Sequence, residues 1–130
     1  MSSIIGSALA GMQASTRKVS VSASNIANSQ TVGTPGGTGD QAAYKAINAV
    51  QVTGPNGGPE TRITPRDPAT SLTYSPDHPR ASEQGYVESP NVNVAEELVN
   101  SKIAQNTYEA NIRTLHAWDQ MQQALLDIKT

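Results

Sequence analysis

The stretch IIGSALAGMQASTRKVSVSASNIAN, residues 4–28, contains no proline and only two glycines, and its apolar residues fall on one line. Ile5, Met12, Val19 and Ile26 recur every seven residues, and Leu9, Thr16 and Ala23 stand four residues after the first three. A seven-residue repeat of this kind predicts a helix with a narrow apolar seam. Most of the remainder is Ser, Ala, Asn and Gln. Ser20, Ser22 and Ser24, with β-branched Val19 and Val21, lower helix preference by roughly a few tenths of a kcal/mol each. Such a helix is marginal alone, because its propensity does not offset the cost of nucleation, and it needs a partner to bury the seam. Asn28 is its expected end, since Asn tolerates the left-handed backbone of a C-cap, and Gly33 and Pro35 prevent continuation.

Beyond this helix the chain breakers are concentrated. All eight prolines and eight of the ten glycines lie in residues 33–90, and residues 91–130 contain neither. This predicts three parts: an N-terminal helix in 1–32, a Pro/Gly-rich middle in 33–90 with a small β region, and a C-terminal helix in 91–130. Asn93-Val94-Ala95-Glu96 fits a capping box, with Asn93 at the N-cap and Glu96 at the third helical position. From there Leu98, Tyr108, Ile112 and Leu115, then Trp118, Met121, Leu125 and Ile128, predict a helix of more than about 30 residues. Ser101 and Gln105 interrupt its seam, and the three-residue steps from Ile112 to Met121 resemble a stammer. That irregularity suits packing against several neighbours better than one clean dimer.

In the middle, Tyr44 to Val52 and Glu60 to Thr64 read as the strands of a hairpin, with Asn56-Gly57 as the turn signal. Asn48 interrupts the alternation of Tyr44, Ala46, Val50 and Val52. Short extended pieces are expected at 71–74 and 85–88, and the rest reads as loop.

Composition limits what the chain can be. Of 130 residues, 36% are hydrophobic, against roughly 45–50% in globular domains, and many of these are Ala. With no Phe, no Cys and only four Tyr and one Trp, a thick independent core is not available. Net charge is −2. Arg17 and Lys18 make the first part positive, and acids outnumber bases in the other two. No basic stripe marks a nucleic-acid binder. No apolar run approaches the ~20 residues of a membrane span. The start, Met1-Ser2-Ser3-Ile4-Ile5-Gly6, lacks the basic and continuous apolar regions of a cleaved signal peptide.

Catalytic patterns are missing as well. Gly37-Thr38-Gly39-Asp40-Gln41-Ala42 formally matches a relaxed dinucleotide fingerprint, but no preceding strand aims the glycines, so a loop is expected. His78 and His116 are far apart and have no ligand at helical spacing. Glu96 and Glu97 are explained by the positive end of the helix dipole. Asp119 lies about six turns further along the same helix, too far for an acid/base pair. No residues have metal-ligand spacing. The sequence predicts no enzyme, no metal and no cofactor. Two thin, polar-flanked seams leave an ordinary antiparallel helical hairpin with an insertion, or a subunit whose terminal helices complete their burial only against neighbours. The thinness of the seams favours the second.

Ser22-Ala23-Ser24-Asn25-Ile26-Ala27-Asn28-Ser29-Gln30-Thr31, preceded by Gly6-Ser7-Ala8-Leu9, resembles the N-terminal signature of the bacterial flagellar rod, hook and hook-associated axial proteins. Residues 85–100, from Gly85-Tyr86-Val87 through Pro90-Asn91-Val92-Asn93-Val94 to Asn100, are similar to the matching C-terminal motif, with Gln105-Asn106-Thr107-Tyr108-Glu109-Ala110-Asn111 after it. Length and the approach to the last helix are most like proximal-rod members. The resemblance implies a mainly α fold, with long terminal helices packed as an antiparallel coiled coil and a loop-rich middle containing a small hairpin. It implies a non-catalytic subunit of the periplasm-spanning rod, exported unfolded through the flagellar type III apparatus, that transmits torque and encloses the export channel. Its partners would be other rod proteins, copies of itself and the export apparatus. Asn25, Asn28, Thr31 and Gly33 would form the turn leaving the first helix, with Asn93 and Glu96 in the second motif. Ile5, Leu9, Met12, Val19, Ile26, Leu98, Tyr108, Ile112, Leu115 and Leu125 would be packing positions of the assembly. Thr34 departs from the family, where many members have an aromatic residue. The alternative of a different class is an accessory adaptor or exported substrate of the same secretion system.

Overall fold

The computed structural model describes residues 2–55 and 57–128. Helix α1 spans Ser2–Ala27, strands β1 Ile47–Thr53, β2 Pro59–Pro65, β3 Thr70–Tyr74 and β4 Tyr86–Pro90, and helix α2 Val94–Ile128. The hydroxyls of α1 do not break it, because Ser15 and Thr16 donate to the carbonyls of Gly11 and Met12 one turn back. Thr107 and Thr114 do the same in α2. Side chains that would compete with the helix are thus satisfied inside it. Asn28 closes α1 by a different route from the expected left-handed cap. Its backbone φ is negative, and both its backbone N–H and its Nδ2 donate to the carbonyl of Ser24. At the start of α2, Asn93 Oδ1 accepts from the N–H groups of Ala95 and Glu96 at 3.1 and 3.3 Å, which satisfies two otherwise unpaired donors.

The expected fold class is corrected in two respects. The middle is not a loop-rich connection with one hairpin. It forms two separate two-stranded antiparallel sheets, β1–β2 and β3–β4. The first runs from Ile47 opposite Pro65 to Thr53 opposite Pro59. The second runs from Thr70 opposite Pro90 to Tyr74 opposite Tyr86. Short extended pieces became paired strands because backbone pairing does not require the apolar alternation these segments lack. Gly33 adds a single antiparallel bridge beside Glu88. The expected Asn56 of the turn lies outside the described residues, while Gly57 takes φ +81°, a backbone region open to glycine. Residues 37–42 hold one short 3-10 turn, Gly39–Gln41, rather than the helix that a cofactor site needs.

The second correction concerns the helices, which are not joined as a coiled coil through the seven-residue seam. They run antiparallel, with Gly11 facing Asn111 and Asn25 facing Glu97. The buried side of α1 is formed by Ala8, Gly11, Ala14, Ser15, Val21, Ser22 and Asn25, and α2 answers with Ala104 and Glu97. A Cβ at Gly11 would lie 2.7 Å from the Asn111 side-chain amide, so this position has no room for a large knob while that amide stays in place. Small residues decide the interface, and the large seam residues are displaced to its rim and beyond. This register leaves roughly two turns of α2 beyond the start of α1.

The hairpin β1–β2 sits on another side of α1. Thr61, buried, donates from Oγ1 to the Ala14 carbonyl, and Arg17 Nη1 donates to the Thr61 carbonyl. Lys18 reaches Gln51 Oε1 at 2.9 Å. Ala46, fully buried, stands where the hairpin meets the linkers: its N–H donates to the Ala69 carbonyl, and its carbonyl accepts from the Arg66 N–H.

Candidate functional site

Two features of this arrangement bear on function, one inside and one outside. Inside, Asn25 on α1 is fully buried and uses its whole amide. Its Nδ2 donates to the Ile47 carbonyl and to Glu97 Oε1, each at 2.8 Å. Its Oδ1 accepts from the Ile47 N–H and from the Tyr44 hydroxyl, each at 3.1 Å. Glu97 is 2% exposed and receives Arg66 Nη2 at 2.7 Å. Arg66 also donates from Nε to Asn48 Oδ1 and from Nη1 to the Asn91 carbonyl. One cluster therefore ties α1, both ends of the hairpin, the linker before α2 and α2 itself. A buried carboxylate is tolerated here because a cation and an amide meet it directly.

Burial, and secondarily the Glu97 carboxylate, push the Tyr44 hydroxyl above its ordinary pKa. The folded chain therefore holds this proton more tightly than the unfolded chain. The resulting stability is fully present below the unfolded pKa of about 10 and is lost as pH rises through the folded value. Thermal melts should show a decline in stability above pH ~10 that is smaller in Tyr44→Phe than in the wild type. Parallel declines in the two chains would refute this origin.

Outside, the apolar seam of α1 is open. Leu9 is 49% exposed, Ile5 is exposed, and Met12, Val19 and Ile26 are only half-buried. Leu9, Met12 and Thr16 line one shallow groove with Tyr108 of α2, and Thr16, Val19 and Tyr108 contribute to the groove beside it. Leu98 near the start of α2 and Leu125 near its end are 58% and 60% exposed, while Ile112 and Leu115 are half-buried. Of the expected motif residues, Asn25 lies within α1 and not in the turn after it. Asn28 and Thr31 do sit in that turn, where the Thr31 N–H donates to the Asn28 carbonyl. Gly33 lies at the bridge to β4, Asn93 caps α2, and Glu96 is exposed with its carboxylate 4.0 Å from Arg66.

From sequence, Glu97 is assigned only to the helix dipole and Tyr44 only to a strand, and Arg66 and Glu88 receive no role in a cluster. The Glu88 carboxylate accepts from Thr70 Oγ1 at 2.6 Å and from the Gly36 N–H, holding the 33–37 loop against the second sheet. A signal for Glu97 existed in the spacing Glu97, Ala104, Asn111. That small and polar stripe faces Asn25 and Gly11 across the interface. Among the described residues no group of three or more His, Asp or Glu is arranged to hold a metal ion. No helix among them is long and apolar enough to cross a membrane.

Residues 83–128 match the family model described as flagellar basal body rod FlgEFG protein C-terminal. The flagellar basal-body rod protein FlgC of Salmonella typhimurium is 36% identical, with 87% of this chain and 84% of that protein covered. The FlgC protein of Borreliella burgdorferi is 33% identical over 97% of this chain and 95% of its own length. The rod protein FlgG of Buchnera aphidicola is 44% identical over 60% of this chain but only 26% of its own. By sequence, then, the chain is similar to flagellar axial proteins of the basal-body rod. Within that class, the chain belongs to the FlgC family of flagellar basal-body rod proteins.

Proposed function

We propose that this protein is a structural, non-catalytic subunit of the proximal part of the flagellar basal-body rod, assembling through its terminal helices. The observation that carries this reading is the placement of the apolar seams. Small residues and a polar cluster hold α1 against α2, so Ile5, Leu9, Leu98 and Leu125 remain exposed. Exposed Val99, Ile103, Met121 and Leu126 extend the apolar surface of α2. So many large apolar side chains left exposed on two helices fit surfaces covered by other subunits. Their occupants in this reading are helices of other rod proteins and of further copies. The parts 1–32 and 91–130 then serve assembly, and the part 33–90 faces away from the axis and distinguishes one rod position from another. Export through the flagellar apparatus, a place in the basal body, torque transmission and enclosure of the channel belong to this reading and are supported by the family resemblance.

Deleting the gene should abolish motility together with the external filament, and the protein should cofractionate with basal bodies purified after detergent extraction. Normal filaments in the deletion strain would overturn the proposal. Loss of motility without cofractionation would instead identify an accessory adaptor or an exported substrate of the same system.

A further inference from the structure

We propose that the buried cluster of Asn25, Glu97, Arg66 and Tyr44 is a conformational lock, which keeps the β1–β2 hairpin seated on α1 only while α2 is docked. The inference stands apart from the rod assignment, because it concerns how one chain orders itself. Several hydrogen bonds between hairpin and α1 need no atom of α2: Thr61 to Ala14, Arg17 to Thr61, Lys18 to Gln51 and the pair between Asn25 and Ile47. The Glu97 end of the cluster is different. Glu97 Oε1 accepts from Asn25 of α1 and from Arg66 at the end of the hairpin, and it is carried by α2.

Were α2 to leave with the hairpin still seated, the Arg66 guanidinium would lose the carboxylate it touches, and the Asn25 amide one of its two acceptors. Arg66 would then move toward water. Its N–H is bonded to the Ala46 carbonyl and its Nε to Asn48, so that movement pulls on the open end of the hairpin. Losing the carboxylate removes the charge-assisted bond that holds Arg66, and with it the open end of the hairpin, in place, so the intermediate with docked hairpin and free α2 is disfavoured. The hairpin and α2 therefore open as one unit, although they make little direct contact. Local openings commonly follow such cooperative units.

Native-state hydrogen exchange on the full chain tests this. Ala104, buried on α2 and outside the cluster, is changed to Gly, which weakens the helix and its contact with α1. Protection of α2 amides should fall about tenfold, and that of the β1–β2 ladder by the same factor. Ladder protection that stays at its original level while α2 loses protection would overturn the proposal. The same Ala104→Gly change is then made in a chain carrying Glu97→Gln and Arg66→Gln, which removes both charges. There α2 should again lose about tenfold, and the ladder less than about twofold. Equal losses in that chain would show that coupling runs through general packing, and would also overturn the proposal. If the doubly neutral chain does not fold, Arg66→Gln alone carries the same comparison, since it removes the charge that loses its partner when α2 leaves, with a ladder loss smaller than that of α2 as the supporting result and equal losses as the contrary one.

Discussion

Gly33→Ala should lower the stability of the chain by about 3–5 kcal/mol, a large share of the total for a domain of this size. The reason is close approach and not backbone freedom. A Cβ at Gly33 would collide with the backbone N of Ala43, and would lie 2.5 Å from the Ala42 carbonyl carbon and 2.6 Å from the Gln41 oxygen. All three are backbone atoms, so no flexible side chain can give way. Relief requires moving residue 33 away, which breaks the paired 2.9 Å bonds between Gly33 and Glu88 and the Thr34 to Gln41 bond. That releases the 33–43 loop from the second sheet. Gly6→Ala is the control, since nothing lies within 4 Å of its Cβ position on α1. It should raise stability by roughly 0.5–1 kcal/mol. Urea midpoints of the two variants against the wild type decide the matter, and similar shifts in both would refute the packing argument.

Glu97→Ala should cost about 3–5 kcal/mol, and its neighbour Glu96→Ala no more than about 1 kcal/mol. The two carboxylates are adjacent in sequence and both approach the same arginine, so burial and geometry separate them. Glu97 is 2% exposed and 2.7 Å from Arg66, whose own side chain is 15% exposed. Glu96 is 56% exposed and 4.0 Å away, where solvent screens most of the attraction. Removing Glu97 leaves a desolvated guanidinium and an amide donor without their acceptor, and this penalty dominates the lost attraction itself. Comparable unfolding midpoints for the two variants would contradict the assignment of Glu97 to the interior.

Much of the outline is legible in the sequence, and the reasons differ by element. The proline-free ends and the Asn93 cap locate both helices, because breakers and caps act locally. The Gly57 turn and its flanking residues locate β1–β2 for the same reason. Pairing of β3 with β4 is not legible. Thr70 to Tyr74 and Tyr86 to Pro90 are too short and too polar to alternate clearly, and the loop between them gives no register. The helix interface is misread for a related reason. Ile5, Leu9, Met12 and Val19 are the strongest periodic signal in α1, and periodicity alone does not say whether a face is buried within the chain. Here the intramolecular face is the small one, through Gly11, Ser15 and Ser22. The polar cluster is the least legible part. Asn25, Arg66 and Glu97 are far apart in sequence, and only the fold brings them together.

In the proposed assembly the large apolar side chains of α1 and α2 are kept for other subunits, while small and polar residues hold the chain to itself. A density map of the assembled basal body tests this most directly. Ile5, Leu9, Met12 and Leu125 should be covered there by helices of neighbouring subunits, with Asn25 still bonded to Glu97 of its own chain. A map in which those four side chains face solvent, or in which α1 and α2 of one chain meet through them, would contradict it.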